Sequence, residues 1–180
     1  YREKPESGTF MEEWLSLYKS KSGERGIFNR DASKKQIEKA NKFRLDIDSS
    51  YVTRDPDHDF GTNPCSEIIL RDKEFCNLTE VVVRADDTEE SLNRKVRLAT
   101  ILGTWQSTLV NFRYLSGDWR KNCEEERLLG VSMTGIMDSK ITRDVKGLSG
   151  RLEGFRRTAI VTNKEHADLL GIPQSAAITC

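Results

Sequence analysis

Residues 88–112 carry the pattern that most limits how this chain can fold. Thr88-Glu89-Glu90 opens a helix whose apolar residues Leu92, Val96, Ala99, Leu102, Trp105, Leu109 and Phe112 step by three and four. That spacing predicts one broad buried face. Short apolar runs at Glu67–Leu70, Leu78–Val83 and Leu128–Met133 read as strands, and the polar Arg71-Asp72-Lys73-Glu74 between the first two reads as a hairpin-type connection. Thr9-x-x-Glu12 has the form of a capping box, which with Phe10, Trp14, Leu17 and Tyr18 predicts a helix over 9–19. Asp31 or Ser33 is placed to cap a second helix running to Phe43, and a last helix near Leu152–Leu170 stops at Gly171 and Pro173. Helices and strands interleave, so the expected class is α/β. No internal repeat or domain boundary interrupts the chain. It starts at Tyr1 and stops at Cys180 inside an apolar run, which reads as an internal piece, 1–180, of a single domain in a longer polypeptide.

Twenty-nine basic residues balance twenty-nine acidic ones, which removes a whole-chain electrostatic case for nucleic acid or an anionic membrane. No apolar run approaches the length of a membrane span. A soluble, cytoplasmic protein is the expectation. Four cysteines, at 65, 76, 123 and 180, are too few and too scattered for a disulfide-stapled secreted domain.

Between Asp46 and Asn63 the composition turns to Asp, Ser, Pro, His and Gly, as expected of a long surface or active-site loop. It leads into Asn63-Pro64-Cys65-Ser66-Glu67, with Cys76 eleven residues beyond Cys65. If the backbone is extended from Ser66 on, Asn63, Cys65 and Glu67 share a parity and one substrate can meet an amide, a thiol and a carboxylate. A thiol can donate or, as a radical, abstract a hydrogen atom; a carboxylate can take a proton from a hydroxyl; an amide can hold that hydroxyl in place. A second thiol can supply reducing equivalents if it has a disulfide partner. Spacing alone leaves other readings open. Cys76 suits the role of a small buried hydrophobe equally well. Cys65, Cys76 and His58 could hold zinc in a non-catalytic metal- or nucleotide-binding module, although the spacing is poor for zinc. Nucleophilic cysteine catalysis needs a base, and the chain has only His58 and His166, the latter in a helical pattern. The Ser22–Asn29 loop is a weak candidate phosphate cradle, and Glu124-Glu125-Glu126 reads as a solvated face or helix start.

Asn63-Pro64-Cys65-Ser66-Glu67-Ile68 with Phe75-Cys76-Asn77-Leu78-Thr79-Glu80-Val81 resembles the active-site segment of the ribonucleotide reductase large subunit. More narrowly, it resembles the adenosylcobalamin-dependent (class II) ribonucleoside triphosphate reductases. Ser22–Asn29, Arg127–Asp138 and Gly171–Thr179 extend the resemblance along the chain. The resemblance implies part of a ten-stranded α/β barrel with a central finger loop, Cys65 at its tip. It implies that Cys65 is the thiyl radical that abstracts the 3′ hydrogen, that Glu67 is the base at the 3′ hydroxyl, and that Asn63 binds substrate and assists loss of the 2′ hydroxyl. It further implies that Asn63, Cys65, Ser66 and Glu67 line the substrate site and that Cys76 is one thiol of the reducing pair, its partner lying before residue 1. The cofactor implied is adenosylcobalamin, with no ligand residue identifiable here. The implied partners are a ribonucleotide substrate and a thioredoxin-type reductant, with room for a nucleotide effector. Cys123 and Cys180 match no role in that family.

Overall fold

The computed structural model describes residues 4–23 and 26–179; Glu24 and Arg25 of the Ser22–Asn29 loop, and Cys180, lie outside them. Two helices lead, α1 (Ser7–Ser20) and α2 (Arg30–Ile47), followed by two short strands, β1 (Gly61–Thr62) and β2 (Ile69–Leu70). The order then runs β3 (Asn77–Val82), α3 (Glu89–Gln106), α4 (Gly117–Glu126), β4 (Leu129–Thr134), α5 (Lys140–Arg143), α6 (Leu148–Leu170) and β5 (Ile178–Thr179). The α/β class expected from the sequence is what the chain adopts. Its described strands form a two-stranded antiparallel sheet, β1-β2, and a three-stranded parallel sheet, β3-β4-β5, with Asn77 opposite Leu129 and Leu129 opposite Ile178.

Parallel pairing requires crossovers, and α3 and α6 supply them on one face of the larger sheet. Val81, Val83, Leu129, Val131 and Ile178 from the strands meet Leu92, Val96, Ala99, Phe155, Ala159 and Ile160 from the helices in one core. A polar seam also joins the two helices. Asn163 Nδ2 donates to Thr104 Oγ1 at 3.0 Å, and Asn163 Oδ1 accepts from Ser175 N–H at 2.9 Å, so its buried amide is satisfied at both ends. The opposite face of the sheet carries Leu78 and Val82, both exposed.

The stripe expected on α3 is only half right. Thr88 does cap it, in a reciprocal pair with Ser91. The residues it buries, however, are Leu92, Val96, Ala99, Thr100, Gly103 and Thr104, while Leu102 and Trp105 are exposed and the helix ends before Leu109 and Phe112. Small side chains take over near the C-terminal end because the sheet comes close: a Cβ on Gly103 would sit 3.5 Å from both Leu129 and Thr79.

Other boundaries shift for identifiable reasons. Helix α1 starts at Ser7 with Glu6 before it, so the Thr9-x-x-Glu12 pair lies inside the helix and forms no cap. Asn29, not Asp31 or Ser33, caps α2 by accepting from Ala32 N–H at 3.0 Å. The hairpin expected between 67–70 and 78–83 does not form. Lys73 turns into the left-handed region (φ 53°) and Arg71 N–H donates to Glu74 at 2.8 Å, which sends β2 back to β1 and β3 on to β4. The acidic run 124–126 ends α4 rather than starting a helix, and its last member is buried.

Leu92→Ala should therefore destabilise the 180-residue chain by about 2–5 kcal/mol in chemical denaturation, the range for a large-to-small change in a core. Leu102→Ala, on the exposed flank of the same helix, should stay within about 0.5 kcal/mol.

Candidate functional site

Asn63-Pro64-Cys65-Ser66 is a tight turn, not a strand. Asn at the first corner and Pro at the second favour the type I geometry, and Ser66 N–H closes it on Asn63 C=O at 3.0 Å. Ser66 then takes a left-handed backbone, φ 60°, and Ile68 drops into the interior at 1% exposure. The parity expected of an extended segment is therefore lost. Two of the residues meet by another route: Asn63 Nδ2 donates to Glu67 Oε1, and Asn63 Oδ1 accepts from Ile68 N–H at 3.3 Å. Asn63 thus spans the loop with both ends of its amide. Ser66 Oγ lies 3.4 Å from Thr62 Oγ1, across the base of the turn. Cys65 is exposed at the tip. The local signal for this was present in the Asn-Pro dipeptide, a turn initiator.

Cys76, just before β3, is half-buried. Burial, and after it the negative charge of Glu67, pushes its thiol up to about 11. The carboxylate of the hairpin thus acts on Cys76 electrostatically, and at neutral pH the thiol keeps its proton. Asn63 and Glu67 are joined by a hydrogen bond, and Glu67 is close enough to Cys76 for its charge to act there. Cys123 is buried in α4, and burial raises its thiol too, as suits a small core residue. His58 is not gathered with the cysteines: its ring packs on Phe60 at 4.9 Å between centroids. It lines a cleft of about 360 Å³ with Arg30, Lys34 and Asp57 at the start of α2, which neither Cys65 nor Glu67 lines. Among the described residues no group of three or more His, Cys, Asp and Glu could hold a metal ion. No helix of the described residues is long and apolar enough to cross a membrane.

What the sequence did not signal is the ion cluster beneath the hairpin. Arg54 lies in the 46–63 loop, which is less superficial than its composition suggests, since Tyr51, Arg54 and Phe60 are all buried. The Arg54 guanidinium meets Glu126 side-on, Nε to Oε1 at 3.0 Å and Nη2 to Oε2 at 2.5 Å, and donates twice to Ile69 C=O at 3.1 Å. Arg71 donates to Glu125 at 2.9 Å and to Asn122 C=O at 2.9 Å. Glu74, with no exposed side-chain surface, lies 3.5 Å from Arg71 and 3.9 Å from Arg54. Burial first, then the neighbouring Glu126 charge, pushes the Glu74 carboxyl up to about 7.

An acid raised on folding holds its proton more tightly in the folded state, so its contribution is present at low pH and lost as pH rises from the ordinary carboxylate range through about 7. Thermal melts should show the protein losing stability over that window. Glu74→Gln, neutral at every pH, should flatten the profile and give the higher melting temperature at pH 8.

No family model matches the chain, and no solved structure matches it. Curated proteins do. The chain is 35% identical over 129 residues, 69% of its length, to the adenosylcobalamin-dependent ribonucleoside-triphosphate reductase of Lacticaseibacillus paracasei, of which that match covers 15%. It is 36% identical over 120 residues to the protein of the same name from Lactobacillus acidophilus, covering 65% of the chain and 14% of the relative. To that of Levilactobacillus brevis it is 40% identical over 81 residues, 43% of the chain and 10% of the relative. The chain spans about 15% of the length of the first of these. In sequence, then, this α/β unit with an exposed cysteine at a hairpin tip is similar to one stretch of the adenosylcobalamin-dependent ribonucleoside-triphosphate reductases.

Proposed function

We propose that the chain carries the radical-bearing segment of a ribonucleotide reductase that uses adenosylcobalamin and turns ribonucleoside triphosphates into deoxyribonucleotides for DNA synthesis in the cytoplasm. The observation that carries this is the hairpin tip: an exposed thiol flanked by an amide and a carboxylate already hydrogen-bonded to each other, with a protonated thiol in the carboxylate's field. The names of the relatives support the reaction and the cofactor. In this reading residues 1–180 form part of one ten-stranded α/β barrel, the β3-β4-β5 sheet belongs to one of its halves, and the hairpin is its finger loop.

Neither imidazole is set to hold the cofactor, since His58 packs on Phe60 and His166 faces Trp105 at 6.3 Å, so no step is assigned to the cofactor's own atoms. Bound adenosylcobalamin supplies a radical. The chain's own groups do the rest. With its sulfur as a thiyl, Cys65 takes the hydrogen atom from C3′, forming S–H and leaving a carbon radical. Glu67 takes the proton of the 3′ hydroxyl, which Asn63 holds beside it. The C2′–O bond breaks and water leaves, while Cys76 and a second thiol of the polypeptide are oxidised to a disulfide and supply two electrons and two protons. Cys65 then returns its hydrogen to C3′, and Glu67 returns the proton to the 3′ oxygen. The raised Cys76 thiol suits this step, because it enters with its proton. A thioredoxin-type reductant reopens the disulfide, and a nucleotide effector acts elsewhere on the polypeptide.

Cys65→Ser in the natural full-length polypeptide should abolish deoxyribonucleotide formation with adenosylcobalamin and a dithiol present; unchanged turnover would sink the assignment. Cys76→Ser should keep hydrogen abstraction but yield at most one deoxyribonucleotide per active site with the physiological reductant. Sustained turnover would remove Cys76 from the reducing pair.

A further inference from the structure

Arg54 makes more contacts than an ion pair needs. The residue is 7% exposed, and its guanidinium uses Nε and Nη2 on Glu126, then Nη1 and Nη2 on the Ile69 carbonyl, while it lies over the Phe60 ring at 4.6 Å. Its own backbone is fixed as well. Arg54 N–H donates to Asn41 Oδ1 at 3.2 Å, and Asn41 Nδ2 donates to Arg54 C=O at 2.8 Å, which ties it to the middle of α2. Three separate elements therefore converge on this side chain: α2 through its backbone, the end of α4 through Glu126, and β2 through Ile69.

The contact to β2 is the informative one. Ile69 lies two residues after Glu67 and pairs with Thr62, one residue before Asn63, so it is the stem of the hairpin whose tip carries the thiol. The stem is only two residues per strand, too short to fix its own orientation. From outside it is held by Arg54 on the Ile69 carbonyl and by Ile68 in the interior, at 1% exposure, and just past its two ends by buried Phe60 and by Arg71 on Glu125 and the Asn122 carbonyl. A lysine could offset the Glu126 charge but could not reach that carboxylate bidentately and the carbonyl in one plane.

We propose that Arg54 is a positioning residue for the reaction, clamping the Cys65 hairpin to α2 and α4 so that Asn63, Cys65 and Glu67 face the substrate from a fixed base. This rests on the reading of the chain as a reductase segment. It adds a residue that touches neither substrate nor reacting atoms and acts through the Ile69 carbonyl.

Removing Arg54 alone would strand the buried Glu126 charge, so the test pairs them. In the natural full-length polypeptide, R54M/E126L should raise amide exchange in peptides covering 61–70 by about tenfold or more while α3 and α6 keep their protection. The same variant should lower kcat by about a hundredfold, with KM for the nucleotide within about threefold. R54K keeps the charge and should show the same direction of change in both readouts even if the double variant folds poorly. Native exchange at 61–70 in both variants would overturn the clamp. A loosened hairpin with native kcat would overturn the positioning role. If the unsubstituted polypeptide reduces no ribonucleotide while the variants still loosen the hairpin, the reductase assignment fails and the clamp stands.

Discussion

The placement of the hairpin depends on a forked ion pair, Arg54 on Glu126, buried where α4 ends. A carboxylate at a helix C-terminus is electrostatically misplaced, because the carbonyl ends of the helix already carry negative charge. Arg54 offsets that charge, and its remaining N–H groups reach a strand carbonyl. Buried ion pairs contribute little net stability compared with apolar packing of the same volume, but breaking one leaves an unpaired charge in the interior. The pair is therefore better understood as fixing geometry than as holding the fold together. Stability comes from the other side of the molecule, where the parallel sheet meets α3 and α6 around Phe155, Leu129 and Leu92.

This division separates a rigid platform from a suspended tip. The platform is apolar and closed on one face. The tip is polar and exposed, and it is organised by Asn63, whose amide bridges Glu67 and the Ile68 backbone. Between them lies a cluster with two guanidinium groups and three carboxyls, one of which, Glu74, holds its proton up to about neutral pH. Proton uptake there lessens the negative charge that acts on Cys76 and Cys123.

The sequence was informative where a single local rule decides the outcome. Thr88 at the head of α3 and Gly171 at the tail of α6 each mark a helix end that needs no tertiary help. The alternation of strand and helix was legible for the same reason. Where packing decides, the pattern misled. Leu102 and Trp105 are as apolar as Leu92, and only the position of the sheet determines that the buried stripe turns to Gly103 and Thr104 instead. At the site, alternate spacing put Asn63, Cys65 and Glu67 on one extended face, but Pro64 and a left-handed Ser66 make the segment a turn. Arg54 was invisible, since an arginine in an Asp- and Pro-rich loop looks solvated until its partners, far along the chain, are known.

The parallel register of the larger sheet also sets an order of events during folding. The clamp draws its members from residues 41 to 126, whereas the sheet waits for β5 at 178–179, and the segment leading into β5 locks onto the earlier chain through Ala176 N–H on Glu126 C=O and Tyr51 Oη on Ala176 C=O. As the chain leaves the ribosome, the thiol-bearing hairpin can find all its anchors before the last strand of its platform has been made. A nascent polypeptide would then carry an exposed cysteine on a settled loop ahead of an unfinished sheet.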